Sequence, residues 1–175
     1  VMKMIGLPLR EIGGLMAGIG KEEEFFNNYQ KQYRLYHHDY IGVFPGVEEM
    51  LLQLQTHAFT LGIVTSKSRV GADLTLSSIH IGQYFSVLVT VDDTDKHKPN
   101  PEPILWALEK LGKKPSEAVY VGDSPFDILA GNRAGVTTIA VTWGMATVRE
   151  LEEHRPTFIV RTREELLDKI LSLTL

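Results

Sequence analysis

The stretch Ala118-Val119-Tyr120-Val121-Gly122-Asp123-Ser124-Pro125-Phe126-Asp127-Ile128-Leu129-Ala130-Gly131-Asn132-Arg133-Ala134-Gly135, with Thr138-Ile139-Ala140-Val141 just beyond it, decides the fold. Ala118 to Val121 is a short apolar run of strand length. Gly122 lets the backbone turn tightly off that strand, and Pro125 suits the first turn of a helix, where its missing N–H costs nothing. Pro125 to Ala134 then reads as a helix closed by Gly135, and Thr138 to Val141 as a second buried strand. Uninterrupted apolar strands alternating with helices predict an α/β domain built on a parallel sheet.

The same alternation extends in both directions. Upstream, Gly46 to Leu52 opens a helix, Thr60 to Val64 is a strand, Val70 to Ile79 a helix and Phe85 to Val89 a strand. Pro99, Pro101 and Pro103 suit a turn leading into a helix from Pro101 to Leu111. Downstream follow a short helix from Thr147 to Glu153, a weak strand from Thr157 to Val160 and a last helix from Arg163 to Leu173. The first forty residues differ, being helical and polar, with Tyr29, Tyr33 and Tyr36 at helical spacing; that stripe reads first as a packing face and second as a ligand-facing one. His37, His38 and Asp39 are adjacent, so on a helix they point apart and make a poor metal site. The expected division is therefore a helical region over 1–42 and an α/β core over 43–175.

Composition narrows the class. At 175 residues, against roughly 150 per domain, the chain is one domain with at most a small insertion. Its 43% hydrophobic and 23% charged residues are the ordinary globular mix, which excludes disordered and collagen-like chains. Eighteen basic against 22 acidic residues give a net charge of −4, with no block of like charge, disfavouring nucleic acid and anionic membranes as partners. Zero cysteines exclude disulfides, thiolate metal sites and a cysteine nucleophile. No apolar run approaches the ~18 residues a membrane span needs, and the start lacks a basic-then-apolar signal pattern, so the expected location is the cytoplasm.

In an open parallel sheet ligands bind where strand ends meet helix starts, and three such junctions here are polar together. After Val64 come Thr65-Ser66-Lys67-Ser68, hydroxyls and backbone N–H groups able to cradle a phosphate or simply to cap a helix. After Val89 the chain reaches His97-Lys98-Pro99-Asn100-Pro101, where a proline-stiffened loop would offer Lys98 as a fixed charge, or as a solvated turn residue. After Val121, Asp123 and Asp127 stand four apart on one side of a first helical turn. Two such carboxylates are hard ligands suited to Mg²⁺; the alternative is that Asp123 caps the helix and Asp127 answers its dipole. Hydroxyls, a lysine and a carboxylate pair ending three strands of one sheet describe a metal-and-phosphate site.

These segments resemble the motifs of the haloacid dehalogenase superfamily: Gly62-Ile63-Val64-Thr65-Ser66-Lys67, then Lys98-Pro99-Asn100-Pro101, then Gly122-Asp123-Ser124 with Asp127 and Ala130-Gly131-Asn132-Arg133-Ala134-Gly135. The likeness runs from about Pro45 to the C-terminus and is nearest to the phosphoglycolate phosphatase and pyrophosphatase group. Residues 1–40 resemble the later part of that group's inserted helical cap, with Gly6-Leu7-Pro8-Leu9 matching a substrate-facing loop, so Gly6 and Pro8 join the candidate binding residues. The resemblance implies a Rossmann-like sheet with helices on both faces. It also implies Mg²⁺-dependent phosphoryl transfer through an aspartyl-phosphate from a small phosphorylated substrate. Thr65 would hold the transferring phosphoryl group, with Ser66 beside it; Lys98 would steady nucleophile and phosphate; Asp123 would hold the metal, and Asp127 would hold it directly or through a water. Gly122-Asp123 favours phosphate chemistry over the metal-free dehalogenase branch.

The family's first motif, an Asp-x-Asp-Gly-Thr run carrying the nucleophile and the acid/base, does not occur in the sequence. In the family that strand lies between the strands ending at Thr65 and Val121. Its absence is expected to leave an apolar slot with unpaired backbone, open to association or strand capture, and a chain that as given is a fragment and inactive. A phosphomutase of the same superfamily, or a non-catalytic phosphate-binding protein, are the alternative readings.

Overall fold

The structure, a computed structural model, describes residues 7–173; Gly6, one of the candidate binding residues, lies outside them. Two helices come first, α1 (Leu9–Ala17) and α2 (Glu22–Tyr40). The helical N-terminal region is thus broken once, across Gly18 and Gly20, which adopt φ of 94° and 86° that other residues resist. The helices approach closely through Gly13, where a Cβ would stand 2.9 Å from the Phe25 ring. The α/β alternation follows as α3 (Val47–Thr56), β1 (Gly62–Val64), α4 (Arg69–Ile79), β2 (Val87–Val89) and α5 (Glu102–Leu111), then β3 (Val119–Gly122), α6 (Pro125–Ala134), β4 (Thr137–Val141), α7 (Val148–Glu153), β5 (Phe158–Val160) and α8 (Arg163–Ser172). Two short 3₁₀ turns, Gly82–Tyr84 and Pro115–Glu117, are additions to the sequence expectation. Every strand and helix read from the sequence appears, and the differences are confined to their ends.

Local chemistry explains the boundaries. Ser124, Thr147 and Thr162 each accept a backbone N–H in the first turn of α6, α7 and α8, as N-caps do. Gly135, at φ 75°, closes α6 in the left-handed conformation. On β4 the residues alternate. Ile139 and Val141 pack with Leu54 of α3 and Leu166 and Ile170 of α8 on one face, while Ala140 meets Ile128 of α6 and Leu151 of α7 on the other. Helices therefore cover both faces, as the Rossmann-like reading expects.

Among the described residues the strands form two separate sheets: β1 pairs with β2, and β3, β4 and β5 form a second set, all pairs parallel. The break falls between β1 and β3. The Thr65 N–H donates to Val89 of β2, so the backbone of Val64 points to the other edge, and there its carbonyl stands 3.5 Å from the Tyr120 hydroxyl of β3. This is the position expected for the absent strand. Among the described residues no helix is long and apolar enough to cross a membrane.

Candidate functional site

The carboxyl ends of β1 and β3, the loop after β2 and the two N-terminal helices enclose a cleft of about 720 Å³. It brings together Pro8, Thr65, Ser66, Lys98, Asp123 and Asp127, every described residue that the sequence nominates.

On the β1 side the helix cap is Ser68, whose hydroxyl oxygen accepts the Gly71 N–H at 3.3 Å. Capping is thus discharged by the fourth residue of the Thr65-Ser66-Lys67-Ser68 segment. The Thr65 hydroxyl oxygen accepts the Lys67 N–H at 3.2 Å and shapes the turn at the cleft floor.

Lys98 is not a solvated turn lysine. It is 9% exposed, and its ammonium donates to Asp127 Oδ1 at 2.7 Å and to the Val64 carbonyl at 3.5 Å. Arg133 braces the same loop by donating to the Pro99 carbonyl. Both oxygens of Asp127 are engaged: Oδ1 accepts from Lys98 and, at 3.2 Å, from Tyr120, while Oδ2 accepts from the Ser124 hydroxyl at 2.6 Å. A Cβ on Gly122 would overlap the Asp127 side chain, so this glycine is what lets the carboxylate lie against the strand end.

Asp123 does not cap α6, since Ser124 does. Its carboxylate instead takes the Met145 N–H on Oδ2 at 3.0 Å, held under a turn where a Cβ on Gly144 would collide with it. Asp123 lines the cleft, and among the described residues no ion pair engages its carboxylate. Among the described residues no three His, Asp or Glu side chains converge as a metal cage. Mg²⁺ commonly takes only one or two carboxylates, filling its shell with water and phosphate oxygens, and Asp123 fits that demand. Asp127 anchors Lys98 through Oδ1 and keeps one lone pair on Oδ2 beyond the Ser124 hydrogen bond, which fits a metal-bound water.

The opposite wall comes from α1 and α2, with Arg10, Phe26, Tyr29 and Tyr33 lining the cleft. Phe25, Tyr29 and Tyr33 stack in succession at 6.5 and 5.8 Å, so the aromatic stripe packs upon itself and also faces the cleft. Burial and the neighbouring Tyr33 raise the Tyr29 phenol above its usual range. Lys67 donates to the Tyr33 hydroxyl at 2.6 Å and to Thr75 at 3.2 Å. His37 is buried against the hydroxyls of Thr75 and Ser78, which accounts for it as an interface residue.

Sequence reasoning passed over Tyr120, and it met Lys67 and Tyr33 only as members of the cradle segment and of the tyrosine stripe. The signal for Tyr120 was available, since a phenol hydroxyl in an apolar strand run needs a partner. Burial and then the charge of Asp127 push that phenol well above its usual range, keeping it protonated. His97 also lines the cleft, with Nδ1 buried and without a hydrogen-bond partner among the described residues.

The model of the family "Haloacid dehalogenase-like hydrolase" matches residues 1–141. A protein with the provisional name pyrophosphatase PpaX from Clostridium perfringens is 40% identical over 165 residues, covering 94% of this chain and 77% of that protein. Pyrophosphatase PpaX from Bacillus cereus is 36% identical over 147 residues, covering 84% of this chain and 68% of that protein. Among solved structures, one provisionally described as a haloacid dehalogenase-like hydrolase from Bacteroides fragilis superposes with a TM-score of 0.86 at 29% identity, covering 95% of this chain and 80% of that one.

Proposed function

The chain belongs to the haloacid dehalogenase-like hydrolase family, and from that premise we propose that it is a Mg²⁺-dependent phosphatase of a small phosphorylated metabolite, with phosphoglycolate, pyrophosphate and sugar phosphates as the candidate class. The observation that carries the reading is the convergence of Thr65, Lys98 and Asp123 from three separate segments on one cleft. The names of the related pyrophosphatases make pyrophosphate the first substrate to try.

In this reading Thr65, with Ser66 and the following backbone N–H groups, receives the oxygens of the phosphoryl group. Lys98, immobilised on Asp127, directs a fixed positive charge at the same oxygens, where developing charge is best met by a group that need not reorganise. Asp123 would hold Mg²⁺, which when bound neutralises further charge on the phosphoryl group. Residues 1–42 act as the cap, presenting Pro8, Arg10 and the tyrosines to the leaving group. An aspartate on a strand seated between β1 and β3 would supply the nucleophile, and no Asp-x-Asp-Gly-Thr run in the sequence provides it.

Calorimetry with inorganic phosphate tests the binding half without needing turnover. Mg²⁺ is expected to tighten phosphate binding, and Asp123→Asn to remove that enhancement while the melting temperature holds. Phosphate binding that is absent, or indifferent to both Mg²⁺ and Asp123, overturns the reading. Phosphate release from pyrophosphate then separates a phosphatase from a protein that only binds phosphate.

A further inference from the structure

The helical wall has a second cavity. A groove of about 610 Å³ opens between α2, the start of α4 and the loop after β2. It is continuous with the cleft, since Arg10, Phe26, Gln30, Ser68 and Asp92 line both. On α2, Tyr29 and Tyr33 face the cleft, while Asn27, Lys31 and Arg34 face the groove. The charge of the groove runs against that of the molecule. The chain carries a net −4, yet the groove is lined by Arg10, Lys31 and Arg34 against one carboxylate, Asp92. That carboxylate serves α4: its Oδ2 accepts the Arg69 N–H at 2.7 Å in the first turn, where the helix dipole also favours it. Arg10 has a partner as well, donating to Glu23 at 3.1 Å with its guanidinium 4.0 Å from the centre of the Phe26 ring.

Lys31 and Arg34 stand differently. Among the described residues no ion pair engages either. The acids of α2 lie towards its ends, Glu22, Glu23 and Glu24 in the first turn and Asp39 near the last, so none is three or four positions from Lys31 or Arg34. The two cations are instead three apart from each other, a spacing at which like charges repel and weaken a helix. A solvated helix face would be served as well by mixed charges, so helix stability does not account for the pair. An anion in the groove does. We infer that the groove is a second anion subsite: the ligand whose phosphoryl group is held at Thr65, Lys98 and Asp123 carries a further anionic group on its leaving portion, which Lys31 and Arg34 receive. The guanidinium forks two N–H groups towards a phosphate or carboxylate, and the ammonium adds a point charge. Phosphoglycolate and pyrophosphate carry such a group, whereas a sugar monophosphate, with its neutral leaving group, leaves the groove unused. The inference rests on the proposed phosphoryl site.

The test is calorimetry with inorganic phosphate and with tripolyphosphate at one fixed Mg²⁺ concentration. It compares the unmutated protein with two double variants, Lys31→Ala with Arg34→Ala, and Lys113→Ala with Lys114→Ala. The second pair removes the same charge just before β3, at the end of the sheet remote from the cleft. Tripolyphosphate is expected to bind the unmutated protein more tightly than phosphate. Losing Lys31 and Arg34 is expected to weaken tripolyphosphate about five- to tenfold, the size of two screened charge contacts, and phosphate less than about twofold. The melting temperature should hold or rise, because alanine and the removal of a like-charge pair both favour the helix. Equal losses for the two ligands, equal losses in the two variants, or a tripolyphosphate loss below about twofold overturn the inference. Were the unmutated protein to bind no phosphate, the functional reading would fail by itself. Tripolyphosphate binding that still depended on Lys31 and Arg34 would then support the groove as an anion site, and binding that was absent or independent of them would overturn it.

Discussion

The core wall of the cleft carries its charge in the pair Lys98 and Asp127, 2.7 Å apart with side chains 9% and 10% exposed, whereas the helical wall carries its own in Arg10 and Glu23, 3.1 Å apart at 52% and 66%. The contacts are chemically alike and energetically unlike. A buried pair is fixed by its surroundings and becomes costly when broken, because the remaining charge has no water to turn to; an exposed pair is screened and loses side-chain entropy to form. In the proposed phosphatase reading, the difference suits the walls to separate roles. A group that must meet the same phosphoryl oxygens each time belongs on the rigid side, and one that tolerates different leaving groups belongs on the adaptable side.

The largest effect that separates the walls is the loss of one partner from each pair. Asp127→Ala leaves the Lys98 ammonium buried and also frees the hydroxyls of Tyr120 and Ser124, and it is expected to cost about 3–5 kcal/mol in urea unfolding. Glu23→Ala is expected to cost less than about 1 kcal/mol. Comparable values for the two would erase the distinction between the walls.

Glycines offer the next contrast. A Cβ at Gly144 meets the Asp123 carboxylate, which is already held by the Met145 N–H, so Gly144→Ala should displace that carboxylate at about 1–3 kcal/mol and abolish the Mg²⁺ enhancement of phosphate binding. A Cβ at Gly13 meets the Phe25 side chain, its ring at 2.9 Å and its Cβ at 3.3 Å, and that overlap opposes the gain of alanine in a helix interior, so Gly13→Ala should cost about 1–3 kcal/mol and leave metal dependence untouched. Retained Mg²⁺ enhancement in Gly144→Ala would mean that Asp123 is not the residue that feels the metal.

Tyr33→Phe tests the joint between the walls. It removes the hydroxyl shared by Lys67 and Thr75 and should cost about 0.5–1.5 kcal/mol by urea unfolding. A phosphate affinity weakened by about fivefold or more, the size of one hydrogen bond at a charged group, would make Lys67 as constrained as Lys98.

The contrast between the walls also decides what was legible in the sequence. Around the core wall, each structural choice is made within a few residues. Gly122, Ser124, Pro125 and Gly135 delimit β3 and α6 by backbone conformation and capping, and the apolar period is unmistakable on either side. One feature is settled over distance: Asp127 has the spacing of a metal ligand, and Lys98, 29 residues away, pairs with it as well. The break in the sheet was legible, because the missing Asp-x-Asp-Gly-Thr run already places a gap between the strands ending at Thr65 and Val121, and among the described residues no strand fills it. On the helical wall the tyrosine period was visible, while its partners Lys67 and Thr75 belong to the segment after β1 and could not be seen from α2 alone.

The smallest expected effect is a pH dependence in the segment that follows β2 and carries Lys98 into the cleft. Partial burial of Asp93 acts to raise its carboxyl. The hydroxyl and N–H of Thr90, with the guanidinium of Arg69, outweigh this and hold it below the ordinary 3.8. A group whose pKa is lower in the folded state binds its proton less readily there than in the unfolded chain. Its stabilisation is therefore complete above about 3.8 and is lost as pH falls through the lower, folded value. Asp93→Asn should remove that contribution near neutral pH and flatten the acid limb of a melting-temperature profile between about pH 5 and 2. With Arg69 38% exposed the stability change should stay below about 1 kcal/mol. Glu23→Gln on the helical wall, scanned over the same range, is the control. An acid limb flattened equally by both substitutions would show that the profile reports the net charge of the molecule rather than the hydrogen bonds of Asp93.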